Sequence, residues 1–267
     1  MKKIIFTISL GLAVITVNGQ QKQGKVLYTR TVQMMLDIPV EDGAPSLPLP
    51  RTNASKLEVL FGNDQSLRRA VEEGRPEGFE GGEGGMRMIS VVGGADDLSY
   101  VNLTTGQVVE LREFGAKNYI VADSIRKLDW KLTGKTSTIL NYPCQQAVAR
   151  VIGKRTTMSM ENGEMKKREV ADTSEIVAWF TLSIPVSAGP EYPGQLPGLI
   201  LGMDLNNGRM VYEAVEISGE VDLAAIKAPS KGKRITAAEF DKEREKIFAE
   251  MQRNNSGGRM RMIREDH

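Results

Sequence analysis

A single histidine and a single cysteine stand among 267 residues, and that scarcity limits the available chemistry more than any motif does. The histidine is His267, at the C-terminal end. Ser-His-Asp triads, Cys-His pairs, HExxH zinc sites and histidine pH switches all need an imidazole held in a packed site. A fraying terminal residue does not readily supply one. The cysteine, Cys144, is a candidate reactive thiol, but a small buried residue is the expected reading. Free cysteine is among the most buried residue types, and no histidine or clear basic neighbour stands near it to favour a thiolate.

Other chemistries fare no better. The acidic pairs Glu72-Glu73 and Asp96-Asp97 do not make a glycosidase, because adjacent residues on a strand point to opposite faces. The stretch GRPEGFEGGEGG at 74–85 lacks the lysine and Ser/Thr of a phosphate loop, and its glutamates would repel phosphate. A flexible glycine-rich loop over 74–94 is expected instead. Met86 and Met88, with Met260 and Met262, could suggest copper(I) ligation, but apolar filler explains methionines more simply. No catalytic residue, metal or cofactor is expected.

The elements that would have to position any site are mainly strands. Apolar residues alternate over 25–36 and again at Leu57, Val59 and Phe61, with Gly62-Asn63-Asp64 as a hairpin turn. Hairpin patterns continue from Leu98 through Thr105-Gly106. Further strands are predicted at 119–121, 129–139, 144–152 and 176–184, with an exposed hairpin tip over 156–170. Asn207-Gly208, between alternating segments, is the strongest hairpin signal in the chain. One helix closes the chain, opened by the capping box Thr236-Ala237-Ala238-Glu239, and Phe240, Ile247, Phe248 and Met251 share its apolar face. The fold class is therefore mainly antiparallel β, a curved sheet or half-barrel of successive hairpins with one C-terminal helix. A single β domain is expected over 20–230, then the helix and a flexible tail over 231–267.

Between two of these strands lies a rigid connector, in WFTLSIPVSAGPEYPGQLPGLILGMDL at 179–205. Four prolines fix φ and three glycines allow conformations or close approaches that other residues resist. A tight corner is the favoured reading, the lip of a cavity the other. Leu196-Pro197-Gly198-Leu199-Ile200, after the aromatic pair Trp179-Phe180 and the Gly189-Pro190 dipeptide, resembles the signature of the GLPGLI family, exported Bacteroidota proteins without an established biochemical function. Tyr142-Pro143-Cys144-Gln145-Gln146-Ala147 resembles that family's GY-C-KA segment. Gln195 stands where the family has a glycine, Phe180 where it has a tyrosine, and Asn141 where it has a glycine. The resemblance supplies no catalytic residues.

Residues 1–19 read as a secretory signal: Lys2-Lys3, the apolar run Ile4–Val17, then Val17-Asn18-Gly19 as a cleavage site. The run is shorter than the roughly 20 residues of a membrane-spanning helix, and no span is predicted beyond it. The chain is expected in the periplasm, on the cell surface or secreted. Without these residues, 33 basic face 34 acidic residues, so no general attraction to nucleic acid or anionic lipid is predicted. With one cysteine, no internal disulfide forms. A curved sheet with a covering helix predicts enclosed apolar space. The leading expectation is a non-catalytic binding or carrier module for an apolar ligand, a peptide or an envelope protein. An accessory subunit of an outer-membrane or cell-surface assembly, and a hydrolase using carboxylates, are the other two.

Overall fold

The computed structural model describes residues 21–38, 47–71, 98–114, 117–161 and 164–247. Residues 1–19, read as a secretory signal, the glycine-rich stretch 74–94, both acidic pairs, the four methionines weighed as copper ligands and the helix end expected near 254–258 lie outside them.

Among the described residues, twelve strands form one open sheet. They are β1 (Gly24–Ile38), β2 (Leu47–Gly62), β3 (Gln65–Ala70), β4 (Leu98–Asn102), β5 (Gln107–Phe114), β6 (Lys117–Ser124), β7 (Lys131–Ile139), β8 (Tyr142–Glu161), β9 (Glu164–Thr181), β10 (Leu199–Leu205), β11 (Met210–Ser218) and β12 (Lys233–Ile235). The spatial order is β12-β6-β5-β4-β3-β2-β1-β11-β10-β9-β8-β7. Two antiparallel meanders, β1–β6 and β7–β11, are thus joined through β1 and β11.

Turn chemistry sets the hairpins. Asn63 and Asp64 take φ of 52° and 56°, the left-handed pair that a two-residue hairpin needs. Asn206, Asn207 and Gly208 do the same between β10 and β11, where the Gly208 amide donates to Asp204 Oδ1 at 2.6 Å. Leu140 and Asn141 join β7 to β8 with φ of 49° and 66°. Leu140 is a poor residue for that region, so nothing in its type announces so tight a turn.

Succession by hairpins fails at two places. The link between β6 and β7 runs from one end of the sheet toward the other through residues 125–130. β12, in the stretch read as the helical tail, pairs parallel with β6. The helix, described over 237–247, opens as its capping box requires. The Thr236 amide donates to Glu239 Oε2 at 2.8 Å, and the Glu239 amide to Thr236 Oγ1 at 3.2 Å. Those hydrogen bonds hold the exposed Glu239 carboxyl below its ordinary value.

The helix does not close the main core. Its buried Phe240 sits edge-on to Tyr119 at 5.5 Å and to Phe114 at 6.4 Å, with the Arg112 guanidinium over its ring at 5.2 Å. This is a satellite cluster beside β5 and β6. The main cluster is built on Val26, Tyr28, Val59, Phe61, Phe180 and Tyr212, and the connector between β9 and β10 covers it through Ile184, Val186, Ala188 and Leu196.

Candidate functional site

The connector over 182–198 is more than a corner; it is a folded strap laid on the sheet. Its own backbone turns back to pair with β10: the Leu199 amide donates to Ile184 O at 3.0 Å and the Ile200 amide to Ala188 O at 3.0 Å. Gly198 is required, because a Cβ there would lie 2.0 Å from the carbonyl oxygen of Thr181. Gly194 has φ of 77°, and a Cβ would meet Ile125 Cδ1 at 2.4 Å, so the strap and the 125–130 link are in close contact. At the heart of the core Tyr28 donates its hydroxyl to Ile200 O at 2.5 Å, and burial raises that phenol far above its usual range.

Two polar latches hold the strap. Arg68 on β3 donates through Nη1 to Pro190 O at 2.8 Å and to the Glu191 carboxylate, which also accepts the Tyr212 hydroxyl at 2.8 Å. Burial alone would lower the Arg68 guanidinium, but Glu191, Tyr212 and Glu110 together more than offset it and the group is held above its ordinary value. Tyr212 is raised by burial and by the same carboxylate. On the other side Gln195 Oε1 accepts from the Leu128 amide at 2.8 Å and from Trp130 Nε1 at 3.0 Å. The residue that departs from the glycine of the resemblance is therefore the second latch.

Between the latches stands Tyr192, with φ of 52° and its ring edge-on to Trp130 at 6.3 Å. A bulky residue in that backbone region is strained and persists only where its surroundings hold it. Burial and Glu191 raise its hydroxyl. Tyr192 borders a cleft of about 270 Å³ between the strap, the 125–130 link, strands β3–β6 and Val151 of β8. Apolar Val101, Val108, Pro190 and Pro193 share the lining with Ser66, Ser99, Arg68, Glu110, Asp123 and Arg126. Glu110 is engaged by Arg112 at 2.6 Å. Its walls are thus of mixed polarity, unlike the enclosed apolar space expected of a carrier.

The residues singled out in the sequence divide between cleft and core. Gly189, Pro190 and Gln195 line the cleft. Phe180, Leu196, Gly198, Leu199 and Ile200 are buried beneath it, while Pro197 is exposed. Trp179 is half-buried opposite Gly202 and Gln146. Cys144 is 1% exposed, its thiol raised by burial and donating to Tyr142 O at 3.5 Å. Sequence reasoning missed Arg68, Glu191, Tyr192 and Tyr212. Only the pair Glu191-Tyr192, a charge and an aromatic enclosed by Pro190 and Pro193, gave a signal. Among the described residues no cluster of three or more His, Cys, Asp or Glu is placed to hold a metal, and no helix is long and apolar enough to cross a membrane.

An open, strongly curved antiparallel sheet strapped by its own connector is the class of fold. Residues 130–202, from the start of β7 to the first half of β10, match the model of a family described as a protein of unknown function, Porph_ging. That match spans the 195–200 motif and the Cys144 segment. No curated protein matches the chain. Among solved structures, PNGF-II in the C2 space group is similar with a TM-score of 0.50 at 16% identity, covering 82% of this chain and 32% of that one. A second crystal form gives 0.49 at 16% identity, covering 83% and 32%. The chain therefore spans about a third of the length of PNGF-II, and the likeness is one of fold.

Proposed function

We propose that this chain is a non-catalytic binding module working outside the cytoplasm, in the periplasm or at the cell surface. The cleft beside Tyr192 carries the reading. A strained aromatic residue held by two latches, beside apolar and hydrogen-bonding groups, is how a preformed small-molecule or peptide site is built. The mixed walls favour an amphipathic ligand such as a short peptide over a lipid. Binding is favoured over hydrolysis because, of the three carboxylates in the lining, Glu191 and Glu110 are each engaged by an arginine and Asp123 accepts the Ser124 amide at 2.7 Å, so no free facing pair of carboxylates is present there. The segment 1–19, with its paired lysines, apolar run and small residues at 17–19, supports the location.

Native mass spectrometry of protein taken from its own host's envelope tests this reading. A retained ligand is expected, and it should be lost from the Tyr192→Ala variant while the fold persists. A ligand-free protein, or a ligand unaffected by Tyr192→Ala and by Arg126→Ala, would overturn it. Fractionation tests the location, which fails if the chain stays in the cytoplasm with residues 1–19 uncleaved.

A further inference from the structure

Two pairs of strands outrun the sheet. β1 and β2 stay paired to Ile38 and Leu47, although β11 leaves β1 after Val32 and Gln33. β8 and β9 stay paired to Glu161 and Glu164, although β10 leaves β9 at Ile176 and Glu175. Both overhangs run past the same end of the sheet, flanking the turn at 206–209 where β10 and β11 stop. The result is a fork. One inner edge is residues 34–38 of β1 and the other is residues 164–174 of β9, and among the described residues neither edge is paired.

The gap has a defined width. Where β10 and β11 are present, they fill the two positions between β9 and β1. Three strand spacings of about 4.8 Å put the two inner edges about 14 Å apart, room for one two-stranded ribbon. An unpaired edge is a template for a further strand.

The chain itself carries such a ribbon. We propose that the β8–β9 arm of a second copy fills the fork, and that the first copy's arm fills the second copy's fork in return. The strand order becomes β2-β1-β8′-β9′-β9-β8-β1′-β2′, primes marking the second copy. β9 lies against β9′ across a two-fold axis perpendicular to the sheet, which makes them antiparallel. Within the chain every neighbour from β1 through β11 and β10 to β9 is antiparallel. β9 therefore opposes β1 in direction. β8′ then runs with β9, and so is antiparallel to β1. Every new pairing has the sense of the sheet it extends, and the interface closes on itself as a two-fold dimer should.

The remaining edges support the same assembly. In the dimer the outermost strands are β2 and β2′, whose overhangs carry Pro48 and Pro50 opposite Asp37 and Met35. Prolines two residues apart, kept within a ladder, turn their nitrogens to the free side, where they stop further strands from adding. The stretches that would pair, 34–38, 152–161 and 164–174, contain no proline.

Sedimentation velocity of the full chain from about 1 to 100 µM tests the assembly, with hydrogen exchange read on the same samples. Monomer and dimer are expected, without larger species, and the amides of 34–38 and 164–174 should gain protection as the dimer forms. A shortened arm, with residues 156–169 replaced by Asn-Gly between the paired Arg155 and Val170, should weaken dimerisation at least about a hundredfold. A monomer throughout, a dimer that leaves 34–38 unprotected, or an equal dissociation constant in the shortened chain would each overturn the proposal. Should the shortened chain not fold, the exchange pattern of the full chain decides alone.

Discussion

Replacing Glu191 with alanine removes the group on which both Arg68 and Tyr212 converge, and the loss can be estimated from the structure. Stripping one partner from a fully buried ion pair costs about 3–5 kcal/mol, whereas exposed pairs contribute about 0–1 kcal/mol. The Arg68 and Glu191 side chains are 22% and 32% exposed, so water screens part of the interaction and about 2 kcal/mol is the proportionate figure. The Tyr212 hydroxyl loses its carboxylate acceptor as well, keeping only the weak Met210 sulfur at 3.1 Å, which adds about 1 kcal/mol. A total near 3 kcal/mol corresponds to about 6–12 °C in Tm for a chain of this size. Urea and thermal unfolding of Glu191→Ala measure it directly. The double variant Arg68→Met with Glu191→Leu should lose less than the single one, because it leaves no buried cation behind. A single variant within about 0.5 kcal/mol of the parent would refute this reasoning. So would a double variant whose loss equals the sum of the two single losses.

Gly198→Ala should cost about 3 kcal/mol or more, since its Cβ would meet the Thr181 carbonyl; an unchanged urea midpoint would contradict the close approach. Phe240→Ala should free the helix without unfolding the sheet, losing about 3 kcal/mol locally, so amide exchange should quicken over 237–247 and stay unchanged in β9 and β10. Tyr28 and Tyr212 are held above their unfolded values, so the stability they contribute is complete below pH of about 10 and is lost as pH rises beyond it. Tyr28→Phe should flatten that alkaline loss, and equal slopes in parent and variant would count against it. Cys144 should react with a thiol reagent only as the protein unfolds, and rapid labelling of the native chain would show it to be accessible.

Local rules were legible in the sequence wherever they act within a few residues. Asn63-Asp64, Asn207-Gly208 and Thr236 with Glu239 formed the turns and the cap that their side chains dictate. Most strands follow from alternation, and Gly198 from its place beside prolines, but residues 47–56 of β2, with Pro48 and Pro50, and the polar stretches 153–161 and 164–175 of β8 and β9 show no such pattern. What stayed hidden depends on partners far along the chain. Arg68 lies 123 residues from Glu191, and nothing near either residue announces the other. The link 125–130 gives no local signal of its course, and its last two residues read as part of the strand predicted over 129–139, because its partners Gly194 and Gln195 lie more than 60 residues away. β12 is only three residues long, too short for periodicity to show. The helix is legible from its cap and its apolar face, but which strands that face meets is not. Its pattern showed an apolar face, and only the structure shows that Phe240 meets Tyr119 beside β6 and not the main core.

Joining the two meanders through β1 and β11 has a consequence for how the chain comes into being. β1 is made early and lies in the middle of the sheet, yet one of its two neighbours, β11, is synthesised about 180 residues later, as the pairing of Val32 with Met210 shows. Until then the first meander has an open apolar edge at the place where the finished protein is most deeply packed. Contacts of such long sequence separation form slowly, because the intervening loop must close before the pairing stabilises it. The half-made chain is therefore at its most adhesive just before completion.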